Sequence, residues 1–205
     1  MLGIFSFTDT GMTGGVLQMI NHGLSISALF LLVGMLYDRT KKRGINDFGG
    51  LSGSMPVFSA FLLISILSSI GLPGLNGFIG EFLILLGVFK VSVALTAIAM
   101  TGIILSAIYM LWMFQKVSQS APVNEDVKKL PDLSFREISI LVPLILVMFW
   151  IGLYPKPFLS RIEPSVKNLI TVTAPRNYEV PALLPFLSDK KISGKMSLNP
   201  LPNKK

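Results

Sequence analysis

Cysteine is absent from this sequence, and histidine occurs once, at position 22. The chain can therefore form no disulfide, thiolate metal site or cysteine-ligated iron–sulfur cluster. A lone imidazole is also too little for a zinc or haem site by itself. Charge is scarce as well: 14% of residues are Asp, Glu, Lys or Arg, and 51% are hydrophobic. A typical soluble domain carries about 25% charged residues. The scarcity is also uneven, because residues 10–37, 48–80, 91–115 and 138–155 contain no Asp, Glu, Lys or Arg at all. A bilayer core needs about 20 apolar residues per helix, so runs of this length predict an integral membrane chain with lipid as its main solvent. The net charge of +7 does not point to nucleic acid, since nine of the eighteen Lys/Arg lie beyond Tyr154 and none lies in the apolar runs. Basic flanks of membrane helices account for it. No secretory leader is expected, because no basic stretch or small-residue cleavage site follows Met1.

The apolar pattern predicts an all-α fold with about four transmembrane helices within residues 1–154, and a peripheral extension over 155–205. Span one covers about 12–36 and is followed by a basic, glycine-rich connection. The second apolar segment, 56–89, would reach ~51 Å as a single helix, well beyond a hydrocarbon core of ~30 Å. Gly71-Leu72-Pro73-Gly74-Leu75-Asn76-Gly77 supplies the reason for its length. Pro73 has no amide donor and restricts Leu72, and the glycines free the backbone. The segment therefore reads as one discontinuous span broken at 71–77, and irregular backbone at that depth survives only inside protein or beside a wet cavity. Spans three and four cover about 91–115 and 135–153, with Tyr109, Trp112, Trp150 and Tyr154 at their ends. The 37–55 and 116–134 connections carry the basic residues, which places them in the cytoplasm and the C-terminal extension on the other side.

Two ionisable groups stand out in these spans. Glu81, in Gly80-Glu81-Phe82, falls in the first turn of a second half-helix read as 78–89. A carboxylate inside a bilayer is costly and is kept mainly for use. The unpaired amides and dipole at a helix start offer a way to hold it. Its structural alternative is an interfacial position or a fixed ion pair. His22 lies about 15 Å along span one, with Gln18 and Ser25 at helical spacing forming a polar stripe. Histidine can relay protons near neutrality; the plainer alternative is a neutral residue that fixes helix packing. The hydroxyls Ser65, Ser68, Ser69, Thr96, Thr101 and Ser106 could hold waters, but in membrane helices such groups more often bond local carbonyls, which is the expectation here.

Leu17-Gln18-Met19-Ile20-Asn21-His22-Gly23-Leu24-Ser25, Ala28 to Met35, and above all Ser68 to Leu85 with its Gly-Leu-Pro-Gly-Leu-Asn-Gly-Phe-Ile-Gly-Glu core carry a resemblance. They resemble the antiporter-like membrane subunits of proton-translocating NADH:quinone oxidoreductase (respiratory complex I), of the chain M type, whose mitochondrial counterpart is chain 4. The likeness covers about residues 1–170, and Tyr154-Pro155-Lys156-Pro157-Phe158 resembles the stretch after that family's last helix. It implies that this chain corresponds to the C-terminal part of an inverted-repeat bundle of about fourteen helices, with the break belonging to the second repeat. It also implies a proton path through His22 and Glu81, supported by Gln18, Ser25, Gly71, Pro73, Gly74, Asn76 and Gly77. Flavin, iron–sulfur clusters and quinone would be held by other subunits, and no cofactor or metal by this chain. The implied partners are other membrane-arm subunits, the bilayer and a companion polypeptide supplying the missing helices, with no nucleic acid. The implied location is a bacterial inner membrane, or else an organellar one. Antiporter chains resembling this family usually carry lysine where Glu81 stands, which separates a cation/proton antiporter from the main reading. A non-transporting remnant would be excluded by finding the chain in an assembled complex with a companion polypeptide.

Overall fold

The computed structural model describes residues 1–123 and 125–173, and the described residues are helical throughout, without strands. A short helix α1, Leu2–Phe5, leads into α2, Asp9–Thr40. Thr8 caps α2 by accepting from the Gly11 amide at 3.1 Å, and Lys41 ends it in the left-handed region at φ 56°. A 3-10 turn at Ile45–Asp47 and α3, Leu51–Ser54, precede α4, Pro56–Ser69, which opens on proline as a helix start favours. After a break come α5, Asn76–Phe89, and α6, Val93–Phe114, which runs on into a π-helical turn at Gln115–Gln119. The short α7, Glu125–Lys128, leads to α8, Phe135–Leu153, and then α9, Lys156–Thr173. Three helices, Asp9–Thr40, Val93–Gln119 and Phe135–Leu153, are each long and apolar enough to cross a membrane, and α4 with α5 makes a fourth crossing in two halves. The fold is an all-α integral membrane bundle.

The break is built from two standard pieces. The Leu72 amide reaches back to the Leu67 carbonyl at 3.0 Å and the Gly71 amide to that of Ser68 at 3.4 Å, a Schellman ending for α4 with Gly71 at φ 74°. The Leu75 amide then bonds the Leu72 carbonyl at 3.1 Å across Pro73-Gly74, with Gly74 at φ 95°. This is a type II turn, with proline and glycine each in the position the turn prefers. The irregular stretch is 70–75, slightly earlier than expected, because Asn76 and Gly77 already belong to α5.

The main core lies at the basic-loop end of the bundle, where Leu32, Leu36, Leu51, Met55, Phe58 and Leu62 pack together. Helix α6 is different: it is apolar all round, yet only Thr96 and Phe114 are buried. Such a surface is stable only in lipid or under neighbouring helices. Of the six hydroxyls expected to bond local carbonyls, Ser65, Thr96 and Thr101 do so, to Phe61, Ser92 and Ile98 at 2.8, 2.9 and 2.7 Å. Ser68 instead bonds the Asn76 and Ser25 side chains, and Ser69 Oγ is without a partner among the described residues. Within the extension after Tyr154, read from the sequence as peripheral, residues 156–173 form α9, which packs on α2. Pro157 falls in its first turn, which proline tolerates. The expectation for the remainder of the extension concerns 174–205, outside the described residues.

Candidate functional site

The site lies where α2 crosses the break, and α2 packs more extensively on α5 than on any other helix. Glycines let the two backbones approach. A Cβ at Gly80 would collide with the Gln18 side chain, and one at Gly87 with the Gly11 backbone. This close crossing brings six polar side chains of α2, α4 and α5 into one hydrogen-bonded chain.

Asn21 and Asn76 form a reciprocal pair. Asn21 Nδ2 donates to the Asn76 carbonyl at 2.7 Å, and Asn76 Nδ2 donates back to the Asn21 carbonyl at 3.2 Å. Both side chains are fully enclosed, at 1% and 0% exposure. The Ser68 hydroxyl donates to Asn76 Oδ1 at 2.5 Å, and Ser68 lies 2.6 Å from the Ser25 hydroxyl, which also contacts the Asn21 carbonyl at 3.0 Å. In the other direction Asn21 Nδ2 reaches Gln18 Oε1 at 3.3 Å, and Gln18 Nε2 reaches Glu81 Oε1 at 3.4 Å. Glu81 itself is half-buried. Its carboxylate occupies the space that a side chain at Gly71 would fill. Gly71 therefore serves twice, as the left-handed end of α4 and as the floor under the acid.

Two details differ from the sequence reading. Glu81 stands in the second turn of α5, not the first, because the Asn76 clasp starts the helix two residues earlier. The charge–dipole effect fades within the first turn, so Gln18 and the Gly71 floor hold the acid more than the helix start does. The expected stripe of Gln18, His22 and Ser25 is also divided. Gln18 and Ser25, with Asn21, turn toward the break, whereas His22 is exposed on another side of α2. There it lines a cavity of about 470 Å³ with Ser69, Ser106 and Tyr109, whose far end reaches Lys42 and Arg43 at the basic loop. Ser69 Oγ is buried without a partner beside it. Sequence reasoning missed Asn21 and Ser68 as site members; the one available signal was a buried-type amide inside a charge-free helix run.

A second cavity of about 330 Å³ opens at the other end of α2, lined by Asp9, Thr10, Thr13, Leu83, Glu163 and Lys167. It reaches Leu83, two residues beyond Glu81. The two cavities lie toward opposite ends of α2, and neither is lined by a side chain of the polar chain among the described residues. Among the described residues no group of His, Asp and Glu is placed to hold a metal ion.

NADH-quinone oxidoreductase subunit M of Rickettsia typhi is 47% identical over 169 residues, 82% of this chain and 34% of that protein. NADH-ubiquinone oxidoreductase chain 4 of the liverwort Marchantia polymorpha is 43% identical over the same length, again 82% and 34%. A chain of respiratory complex I from Thermus thermophilus superimposes with a TM-score of 0.78 at 36% identity, covering 83% of this chain and 36% of that one. The chain thus spans about a third of the length of the curated relatives it matches. Residues 1–108 match the family described as NADH:quinone oxidoreductase/Mrp antiporter, TM, and the chain belongs to that family.

Proposed function

We propose that this chain forms the C-terminal helices of a proton-translocating membrane subunit in an NADH:quinone oxidoreductase. The observation that carries this reading is the placing of Glu81. One acid rests on Gly71 at a helix break, held by a neutral amide, between cavities that open toward opposite ends of α2. An acid with a cation beside it stays ionised, whereas one facing neutral dipoles and water can both gain and lose a proton. In this reading protons enter from the basic side along the cavity lined by His22 and Ser69. They pass to Glu81 and leave toward Asp9 and Glu163. The polar break with Gly71, Pro73, Gly74, Asn76 and Gly77 keeps Glu81 accessible, and Gln18 and Ser25 hold the neighbouring helix in register.

The redox chemistry belongs to other subunits, which hold the flavin, iron–sulfur clusters and quinone, and this chain binds no cofactor. Its partners are membrane-arm subunits, together with more of the same polypeptide or a companion that supplies the remaining helices. The chain is multi-pass in a bacterial inner membrane. It does not pump alone, since α6 needs neighbours and the cavity lined by His22 needs further walls. Substituting Glu81→Gln in the assembled complex should abolish NADH-driven proton uptake into membrane vesicles. Undiminished uptake would overturn the reading.

The family description also includes Mrp antiporters. An acid at position 81 in place of the lysine expected of antiporter chains disfavours that reading. Growth of a strain lacking the chain in high sodium decides it: a sodium-sensitive strain with normal NADH oxidation would favour antiport.

A further inference from the structure

We infer that Asn21 is a positioning residue that transmits the geometry of the helix break to Glu81, an inference that rests on the proton-carrying role proposed for that acid. The transmission follows from counting donors. The Asn76 carbonyl can only accept, so the Asn21 atom 2.7 Å from it must be the amide nitrogen. The second hydrogen of that nitrogen faces Gln18 Oε1 at 3.3 Å. With its oxygen thus engaged, Gln18 presents its own amide nitrogen to Glu81 Oε1 at 3.4 Å. Reversing Asn21 would set oxygen against oxygen at the Asn76 carbonyl, and reversing Gln18 would do so at an ionised Glu81. One backbone carbonyl, at the first residue of α5, therefore fixes the direction of every hydrogen bond up to the acid.

The side chain of the same residue is in turn held from α4, through Ser68 donating to Asn76 Oδ1 at 2.5 Å and the Ser25–Ser68 contact at 2.6 Å. A shift between the two half-helices must then break or reorient the Asn21 amide, and Gln18 moves with it. Such chains polarise one another inside a protein, so the end group feels changes several bonds away. A second observation agrees. Asn21 Oδ1 is buried without a partner among the described residues, which a purely packing amide would avoid. An unpaired, enclosed acceptor of this kind is a place for a bound water next to the same chain.

The test uses the assembled complex in its membrane. The infrared band of protonated Glu81 is identified by its absence in E81Q, and its titration is followed in Asn21→Ala, Ser68→Ala and Gln18→Leu. Losing a donor to a carboxylate changes its proton affinity by about tenfold. Gln18→Leu should show this directly, and Asn21→Ala should show a shift of similar size although Asn21 does not touch Glu81. Ser68→Ala should give a smaller shift in the same sense. Protons moved per electron should fall in the order Gln18→Leu and Asn21→Ala first, then Ser68→Ala. An unmoved Glu81 band in an assembled Asn21→Ala complex overturns the inference. If that variant does not assemble, an unmoved band in Ser68→Ala overturns it equally. Normal pumping by E81Q would instead sink the transport reading, while the band shifts still decide the coupling.

Discussion

The charged groups of this bundle occupy two unlike settings, one at the basic end and one at mid-helix. At the basic end Arg39, at the close of α2, makes a two-pronged bond with Glu137 at 2.7 and 2.6 Å, and both side chains are largely enclosed, at 14% and 13% exposure. The same guanidinium bonds the carbonyls of Met35, Pro131 and Asp132. Glu137 completes a capping box with Ser134, and the Asp132 carboxylate accepts the Val57 and Phe58 amides that open α4. Arg39, Glu137 and Asp132 each have an opposite charge or orphan amides to bond. Glu81 at mid-helix has, among the described residues, a single neutral donor at 3.4 Å. The first arrangement fixes three helix ends to one another; the second leaves an acid free to change state. A charge saturated with partners is architecture, and one left under-partnered at a break is available for chemistry.

The hardest blow to this comparison falls on the saturated end. Arg39→Ala strands Glu137 and frees three carbonyls. Removing one partner of a partly buried, hydrogen-bonded charge pair costs about 1.5–3 kcal/mol. The chain should then fail to accumulate in the complex, as measured by its abundance in purified membranes. Proton transfer through the few complexes that do form should be normal. Gly71→Ala comes next and attacks the other end. A side chain at φ 74° costs about 1–2 kcal/mol, and here it also evicts the Glu81 carboxylate from its place. The expected result is a complex that still assembles and oxidises NADH but moves fewer protons per electron. Equal loss of both activities would erase the distinction between the two regions.

How far the sequence disclosed these regions differs for a physical reason. The break was legible because Gly71, Pro73 and Gly74 carry their backbone restrictions into any environment, and the observed Schellman ending and type II turn are what such residues favour. Glu81 was legible because an acid in a charge-free run is conspicuous. The partners of Glu81 were not. Asn21 and His22 are neighbours in sequence but about 100° apart around α2, and only the packing against α5 settles which of them meets the break. The clasp joins Asn21 to a backbone carbonyl 55 residues away, which leaves no mark in the side-chain pattern. The Arg39–Glu137 pair spans 98 residues and was equally hidden, since a basic loop residue has many acids to choose from. Helix α9 escaped notice because its prolines resemble those of an irregular tail, although Pro157 sits where a helix start tolerates it.

Two smaller substitutions at the basic end sharpen what saturation means. Asp132→Ala removes the acceptor for both opening amides of α4, a loss of about 1 kcal/mol for a missing helix cap. The complex should dissociate at a modestly lower temperature. Asp132→Asn, which keeps one acceptor oxygen, should recover most of the difference. Asp38 is next to Arg39 in sequence but unlike it in setting: its pair with Lys41 is 3.4 Å long, with side chains 80% and 67% exposed. Exposed pairs of this kind are worth below about 0.5 kcal/mol. Asp38→Asn should leave the dissociation temperature unchanged within error, at low and at high salt alike. A drop as large as that of Asp132→Ala would mean that charge at this membrane face stabilises by sign alone. The enclosure and amide contacts that set Arg39, Glu137 and Asp132 apart would then have no bearing on what they contribute.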